Sequence, residues 1–179
     1  MSAPEQSAGT EEEVRLVAYD PSWPAKFEAE RADLLDCIGA WAVGGIHHVG
    51  STSVPGLPAK PVIDILVGVE SLAGSRACIE RVAPLGYQYW PYRSDVMHWF
   101  CKPDPSRRTH HLHLIPAGSP RYQDEIAFRD ALRGDPALAG RYAALKRDLA
   151  ARFREDREAY TDHKAPFVQA VLEASRHRG

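Results

Sequence analysis

The chain has 179 residues, of which 44% are hydrophobic, and its 22 Lys and Arg nearly balance its 24 Asp and Glu. This length predicts one domain with a real core, and the balanced charge argues against a protein held to nucleic acid or to a membrane by its overall field. The three cysteines, Cys37, Cys78 and Cys101, show no CxxC spacing, and no apolar run approaches the roughly 20 residues of a membrane span, so we expect a cytoplasmic protein with reduced thiols.

The first elements in chain order are a tail, a helix and two strands. Residues 1–13 are polar and acidic, which predicts a disordered tail that precedes the domain at residues 14–179. An extended segment at 14–19 leads into a helix, whose start is marked by Asp20, Ser22 and the neighbouring prolines and whose end is marked by Gly39. Strands follow at 45–49 and 62–69.

The remaining pattern separates a sheet from a helical tail. We predict a helix at 71–85, then strands at 87–90, 97–102 and 109–115, with a polar loop at 103–108. After residue 118 only helical spacing appears, with helices at 120–133, 136–157 and 164–177 and a break at 160–162. The sequence therefore predicts an α+β fold in one domain: a small mixed β-sheet flanked by helices (14–118), followed by a C-terminal helical tail (119–179).

The strongest functional signal lies between two predicted strands and reads HVGSTSVPGLPAKPVIDILV. A strand enters the turn Gly50–Ser53, a Pro- and Gly-containing loop brings Lys60, and the next strand carries one carboxylate, Asp64. Hydroxyl residues at a glycine turn offer N–H and O–H groups to a phosphate. A lone Asp in an apolar strand is costly to bury without a metal or a base beside it. This is the layout of a nucleotidyltransferase-type site.

Strand alternation assigns the other candidates to faces of the sheet. Asp64 alternates with aliphatic neighbours, and on a later strand His111 and His113 share a face opposite two leucines. The simplest packing buries the aliphatic side chains and points Asp64, His111 and His113 into one groove, where they can hold a divalent metal. The alternative is that both histidines are only hydrogen-bonded groups on a half-wet face of the sheet.

Several further residues are candidates beside this groove. His48 ends its strand and is a candidate acid, base or ligand, whereas His47 alternates to the other side and is interpreted as structural. His98 is a weaker candidate, with an edge-strand histidine as its alternative. The predicted phosphate-binding residues are Gly50, Ser51, Thr52, Ser53 and Lys60, and the alternatives for them are an ordinary Ser/Thr-rich turn and a solvated loop lysine.

The long motif, together with the later THHLHL at Thr109–Leu114 and FRD at Phe128–Asp130, resembles the GrpB (glutamate-rich protein B) family over roughly residues 14–174. That family is a branch of the nucleotidyltransferase superfamily, so the resemblance implies a nucleotidyltransferase-like fold. It also implies that Arg129, Lys146 and Lys164 project into the groove and bind phosphate or carboxylate groups. Without the resemblance, charges at this spacing indicate solvated helix faces.

The chain departs from the superfamily pattern at the strand of Asp64. Members of the superfamily carry two carboxylates there, as Asp-x-Asp or Asp-x-Glu, which can bridge two Mg²⁺ ions. Here the residues two positions away are Val62 and Leu66, and histidines stand where a third carboxylate belongs. Histidine favours Zn²⁺, Mn²⁺ or Fe²⁺ over Mg²⁺, or else metal-free acid–base chemistry.

These observations predict a nucleotidyltransferase-like enzyme that acts on a small phosphorylated or carboxylate-bearing metabolite, using one divalent metal (Zn, Mn, Fe or Mg) or none, and no organic cofactor. Its catalytic residues are predicted to be Asp64, His48, His111 and His113. Two alternatives stay open: a non-catalytic nucleotide- or coenzyme-A-linked binding or regulatory module, since GrpB-like domains occur fused to dephospho-coenzyme A kinase, and a metal-assisted small-molecule hydrolase or ligase. A nucleic-acid partner is disfavoured because aromatic and basic residues are not interleaved.

Overall fold

The computed structural model describes residues 13–177, in which five strands form one mixed sheet and helices pack around it. The strands are β1 (Ile46–Val49), β2 (Ile63–Val69), β3 (Gln88–Trp90), β4 (His98–Asp104) and β5 (Arg107–Pro116). The helices are α1 (Trp23–Ile38), α2 (Cys78–Arg81), α3 (Pro120–Gly134), α4 (Pro136–Arg152) and α5 (Arg157–Arg176). The predicted α+β fold, with a small mixed sheet followed by a helical tail, is confirmed. The predicted disordered tail lies, apart from Glu13, outside the described residues.

The strand order is β1-β2-β5-β4-β3, which places the two site-bearing strands side by side. The central pair β2 and β5 is parallel, and its register sets Asp64 opposite His111 and Leu66 opposite His113. The other neighbouring pairs are antiparallel. Because directly paired residues point to the same side, this register alone brings Asp64 and both histidines onto one face.

The opposite face of the sheet carries the main core. Every second residue of β2 and β5 points there, and α1 covers them with its own apolar stripe. Burying these side chains supplies most of the favourable free energy of folding. The fully or nearly fully buried members include Phe27, Leu34, Ile38, Ile63, Ile65, Val67, Phe100, Leu112 and Leu114.

The helical tail covers only part of the face that carries Asp64, His111 and His113, which we call the site face. Tyr122 of α3 packs with Val49, Leu66 and Ile115, and the tail helices pack on one another around Tyr142. Each tail helix starts at a side-chain cap: Ser119, Asp135 and Asp156 accept hydrogen bonds from the backbone N–H groups of Tyr122, Leu138 and Ala159. In the described part of the chain, no helix combines the length and apolar character that a membrane crossing requires.

Three predicted boundaries are wrong for local reasons. The helix predicted at 71–85 shrinks to α2 and a 3₁₀ turn, and residues 72–77 form turns in which Ser71 Oγ accepts from Gly74 N–H and Ser75 Oγ donates to Ser71 O. The polar loop predicted at 103–108 is mostly strand, and only residues 105–106 lie between β4 and β5. The break predicted at 160–162 lies instead at 153–156, since the Asp156 cap starts α5 earlier. Tyr160 and Lys164 therefore share one helix face, one turn apart.

Candidate functional site

The structure brings Asp64, His111 and His113 together on the site face. Each offers one ligand atom, and these three atoms lie within 4.8 Å of one another. The three side chains are half-buried. His111 Nε2 and both ring nitrogens of His113 are buried and make no hydrogen bond to any described residue. A buried Nε2 atom without a hydrogen-bond partner on each ring is what an imidazole pair presents to a metal ion, so the donor set fits a divalent cation.

Carboxylates orient both imidazoles. His111 Nδ1 donates to Asp64 Oδ1 at 3.0 Å, and because an ionised carboxylate only accepts, Nε2 presents its lone pair to the groove. His113 Nδ1 lies 3.5 Å from Glu125 Oε2, a contact from α3. Burial lowers the pKa of His111, which keeps this ring neutral. Burial would also lower the pKa of His113, but the interaction with Glu125 and the charge of Asp64 together outweigh burial, and the net shift is upward.

Asp64 remains ionised although it is enclosed. Burial alone would raise its pKa, but the hydrogen bond from His111 and the positive charges that His111, His113 and Lys60 carry when protonated lower the pKa to about 2. The turn before it is shaped for close approach: Gly50 has φ +71°, and a Cβ at that position would collide with the Asp64 carboxylate. The predicted role of Gly50 in the site thus has a steric basis, because only glycine admits the carboxylate there.

Lysines from three separate parts of the chain lie near enough to Asp64 for its charge to affect their pKa values. Lys146 of α4, 2% exposed, donates to Ser51 Oγ at 2.8 Å and to Pro58 O. The ammonium groups of Lys60 and Lys164 lie 5.4 and 4.4 Å from the centroid of the Tyr160 ring. Among the described residues, no carboxylate lies within ion-pairing distance of any of these three lysines. We call Lys60, Lys146 and Lys164 the lysine cluster.

The ammonium groups of the lysine cluster have unusually low pKa values. Burial, followed by the charges of neighbouring cations, lowers the pKa of both Lys60 and Lys146 to about 7. Burial also lowers the pKa of Lys164 to about 8, with Arg157 adding to the shift and Asp64 opposing it. Each ammonium group raises the cost of protonating the others. A bound anion would remove that cost, which makes the cluster an anion site in electrostatic terms.

The predicted hydroxyl residues divide into two groups. Only the Ser51 hydroxyl contacts the lysine cluster. Thr52 is 1% exposed, and its hydroxyl bonds within the fold, donating to Val62 O and lying 2.9 Å from His48 Nε2. The Ser53 hydroxyl donates to Gly50 O. Thr52 and Ser53 therefore shape the turn, and their hydroxyls are not directed at a ligand in this conformation.

The two histidines of β1 have the reverse of the placement predicted from alternation. His48 pairs with Ile65, lies on the core face and stacks on Phe27 with ring centroids 4.8 Å apart. His47 is on the site face, where its Nε2 bonds to Gly44 O and the Tyr122 hydroxyl. The pairing register of β1 with β2, which the apolar pattern did not reveal, decides this. A catalytic role for His48 stays a prediction without support from its position.

Arg129 does not join Lys146 and Lys164. Its guanidinium donates to His48 O and to Asp130, and it lines a separate cleft of about 680 Å³ between α1, β1 and α3. Helix α3 packs on β1 and β5, and its Arg129 lies at β1, whereas α4 and α5 carry the lysines. His98 faces the core side of the inner strand β4, with Nε2 2.9 Å from Leu72 O, a position that gives no support to a role in the groove.

Two neighbours of the site were missed from the sequence. Glu125 lies against His113 and also contacts Arg121 Nε at 3.4 Å, but its place on a charged helix gives no signal. Trp99 of β4 pairs with His113 and sets its ring 5.2 Å from that of His111. Its alternation with Phe100 assigns it to the site face once β4 is paired with β5, so register was the missing information.

Comparison with known proteins gives consistent relatives. A family model described as GrpB protein matches residues 13–174. A UPF0157 protein of Pseudomonas aeruginosa is 37% identical over 180 residues, covering 96% of this chain and 73% of that protein. The crystal structure of conserved protein GrpB from Enterococcus faecalis superposes with a TM-score of 0.82 at 30% identity, covering 92% of this chain and 98% of that one.

A longer relative carries a named activity. A dephospho-CoA kinase of Mycolicibacterium paratuberculosis is 33% identical over 182 residues, which cover 87% of this chain but only 44% of the kinase. The similarity thus concerns less than half of that protein, and its name describes the whole of it.

Proposed function

The chain belongs to the GrpB family, and from that premise we propose that it is an enzyme acting on a small phosphorylated or carboxylate-bearing metabolite with one divalent metal. Asp64, His111 and His113 hold the metal, and the lysine cluster holds the anionic group of the substrate. One observation carries this proposal: three potential ligand atoms within 4.8 Å of one another lie beside lysines to which the described residues offer no carboxylate within ion-pairing distance.

The donor set favours Zn²⁺, Mn²⁺ or Fe²⁺, since two imidazoles and one carboxylate are typical ligands of these ions. When bound, such an ion supplies Lewis-acid activation of a water or hydroxyl group. The residues contribute orientation and charge. Asp64 fixes the His111 tautomer, Glu125 fixes the His113 ring, and the low pKa of Asp64 keeps a negative charge in the site across the physiological range.

Substrate binding falls to Ser51 and the lysine cluster. Ser51 offers a hydroxyl at the start of a tight turn, and Lys146 is already held beside it. An anion bound there would raise the pKa of each lysine and bring the reacting group close to Asp64 and the two histidines. Tyr160 shields Lys60 and Lys164 from water, which strengthens their attraction for an anion.

A two-magnesium transfer has little support. Val62 and Leu66, the positions for a second strand carboxylate, are buried apolar residues. The one other carboxylate described beside the trio, Glu125, already faces His113 and Arg121. We therefore assign one metal to the reaction.

The second candidate function is a non-catalytic, nucleotide- or coenzyme-A-linked module. It is favoured by the missing second carboxylate and by the relative named dephospho-CoA kinase, in which a region similar to this chain accompanies other sequence. A module of this kind would bind anion and metal without turnover.

Metal binding by purified variants tests the proposal. We expect about one equivalent of Zn²⁺ or Mn²⁺ on the wild type by equilibrium dialysis and elemental analysis, and a loss of most of it in Asp64→Asn and His111→Ala. His110→Gln is the matched control, because His110 adjoins His111 in sequence but contacts Glu30 on the other face. Equal metal content in wild type, Asp64→Asn and His111→Ala would refute the metal site. Retained metal and anion binding without turnover of any phosphorylated or carboxylated probe would favour the module.

A further inference from the structure

A row of aromatic side chains continues the site face towards the open edge of the sheet. Register places Trp99 beside His113 and Trp90 beside Trp99, so all three point to the same side. Tyr92, just beyond β3, meets Trp99 edge-on with ring centroids 6.1 Å apart. Trp90 and Tyr92 are 45% and 56% exposed. We call Trp90, Tyr92 and Trp99 the aromatic shelf.

The aromatic shelf adjoins both parts of the proposed site. The Trp99 ring lies 5.2 Å from the His111 ring, and the Arg108 guanidinium lies 5.3 Å from the centre of Trp99. Arg108 is also close enough to the lysine cluster for its charge to lower the pKa of Lys60. One cation therefore bridges the shelf and the anion site.

Folding explains only part of the shelf. Trp99 is partly buried and packs against the cluster around Leu66 and Tyr122, whereas Trp90 and Tyr92, on and just beyond the edge strand, are exposed. Large aromatic side chains left in a cluster at a sheet surface are uncommon in monomeric proteins and mark binding surfaces. Flat rings next to a cluster of cations suit one kind of ligand, a molecule that joins a planar ring to an anionic group.

We propose that the aromatic shelf binds the planar aromatic ring of an anionic small molecule whose charged end lies on the lysine cluster. The ring stacks at Trp99, with Tyr92 against its edge. It either displaces the Arg108 guanidinium from Trp99 or stacks on it, and both arrangements keep Arg108 within reach of the anion. This inference rests on the anion site of the proposed function and narrows its substrate to ring-bearing phosphates or carboxylates.

Pairs of probes that share an anion and differ by a ring test the shelf by calorimetry. Adenosine 5′-monophosphate is compared with ribose 5-phosphate, and phenyl phosphate with inorganic phosphate. We expect a ring to tighten binding by about ten-fold or more, as single base–aromatic stacks do. If only the nucleotide gains, the ring is a heteroaromatic base; if phenyl phosphate gains as well, any flat ring is accepted. Both results support the shelf.

Two shelf variants and one control locate the effect. Trp99→Leu keeps apolar volume on the sheet, and Tyr92→Ala changes an exposed side chain, so at least one will fold. Each should reduce the gain from the ring and leave phosphate binding unchanged. Trp41→Leu is the matched control, because Trp41 also lies under an arginine, Arg81 at 4.9 Å, outside the shelf.

The experiment distinguishes a failure of the shelf inference from a failure of the anion site. If ribose 5-phosphate and adenosine monophosphate bind equally, the shelf inference is wrong and the anion site stands. If no probe binds the wild type, both fall. If rings add nothing and the wild type self-associates in sedimentation while Tyr92→Ala does not, the shelf is a contact between copies of the chain instead.

Discussion

Two clusters of charged side chains lie on opposite faces of the same sheet and differ in how their charge is balanced. On the core face, Glu30 accepts from Lys102 Nζ at 2.6 Å and lies 3.7 Å from His110 Nε2, so a buried carboxylate faces a cation. On the site face, Asp64 is the one carboxylate described near three lysines. The first cluster is neutral without a ligand, whereas the second has an excess of positive charge that a ligand can neutralise. Balance, more than burial, separates a structural ion cluster from a candidate binding site.

The two clusters can also be compared through His110 and His111, which are adjacent in sequence. His110 faces Glu30 and Lys102 under α1, while His111 faces Asp64 in the groove. Identical side chains next to each other in sequence thus belong to different clusters, because successive strand residues point to opposite faces.

The largest expected effect is on the balanced cluster. Glu30→Ala leaves the ammonium group of Lys102 half-buried without its carboxylate, and we expect the free energy of unfolding to fall by about 3 kcal/mol. Urea denaturation measures this loss. Glu28→Ala, which removes an exposed partner of Arg31 on the same helix, is the control and should change stability by less than about 0.5 kcal/mol. Equal losses in both variants would mean that the cluster is not special.

A second prediction concerns the pH dependence of the unbalanced cluster. Lys60 and Lys146, with pKa about 7, lose their protons between roughly pH 6.5 and pH 8.5, so affinity for sulfate, a dianion throughout, should fall on the order of ten-fold for each lysine. Calorimetry at the two pH values measures the change. Lys60→Arg carries a charge that does not titrate here and should lose less affinity. Constant wild-type affinity would show that the lysines are ordinary.

The smallest effect is a gain in stability. The pKa of Lys60 is about 7 in the folded state, below its ordinary value of 10.5. Between these two pH values the unfolded chain therefore binds more protons than the folded chain. The free energy of unfolding of the ligand-free protein should therefore rise with pH from about 7 to about 10. At about pH 6.5, Lys60→Met should be more stable than wild type by about 1 kcal/mol while binding sulfate more weakly. A less stable variant would contradict the excess of positive charge.

Sequence reasoning reached the part of the site that depends on alternation within a strand. The sequence assigned Asp64, His111 and His113 correctly to one face. The aliphatic residues that alternate with them, such as Ile63 and Leu112, must be buried, and this decides which residues of β2 and β5 point to the opposite face. The same reasoning failed for His47 and His48. Both residues of that pair are polar, so the apolar pattern does not show which of them points to the site face. Only the pairing of β1 with β2 decides this.

Long-range packing was beyond the sequence. Lys146 meets Ser51 across 95 positions of the chain, and only the family resemblance indicated it. Glu125 and Trp99 had no motif at all. The turns at 72–77, where the Ser71 and Ser75 hydroxyls bond to nearby backbone groups, were also not indicated by the sequence pattern.

The members of the lysine cluster come from both parts of the chain, which has a consequence for its mechanics. Lys60 precedes β2, whereas Lys146 and Lys164 belong to tail helices. Their mutual repulsion pushes the tail away from the sheet, and an anion between them reverses the direction of that force. By thermodynamic reciprocity, whatever draws the tail onto the sheet tightens anion binding to the same degree that the anion draws the tail inward. Packing inside the tail around Tyr142, whose ring lies 5.0 Å from the Lys146 ammonium group, therefore sets part of the affinity.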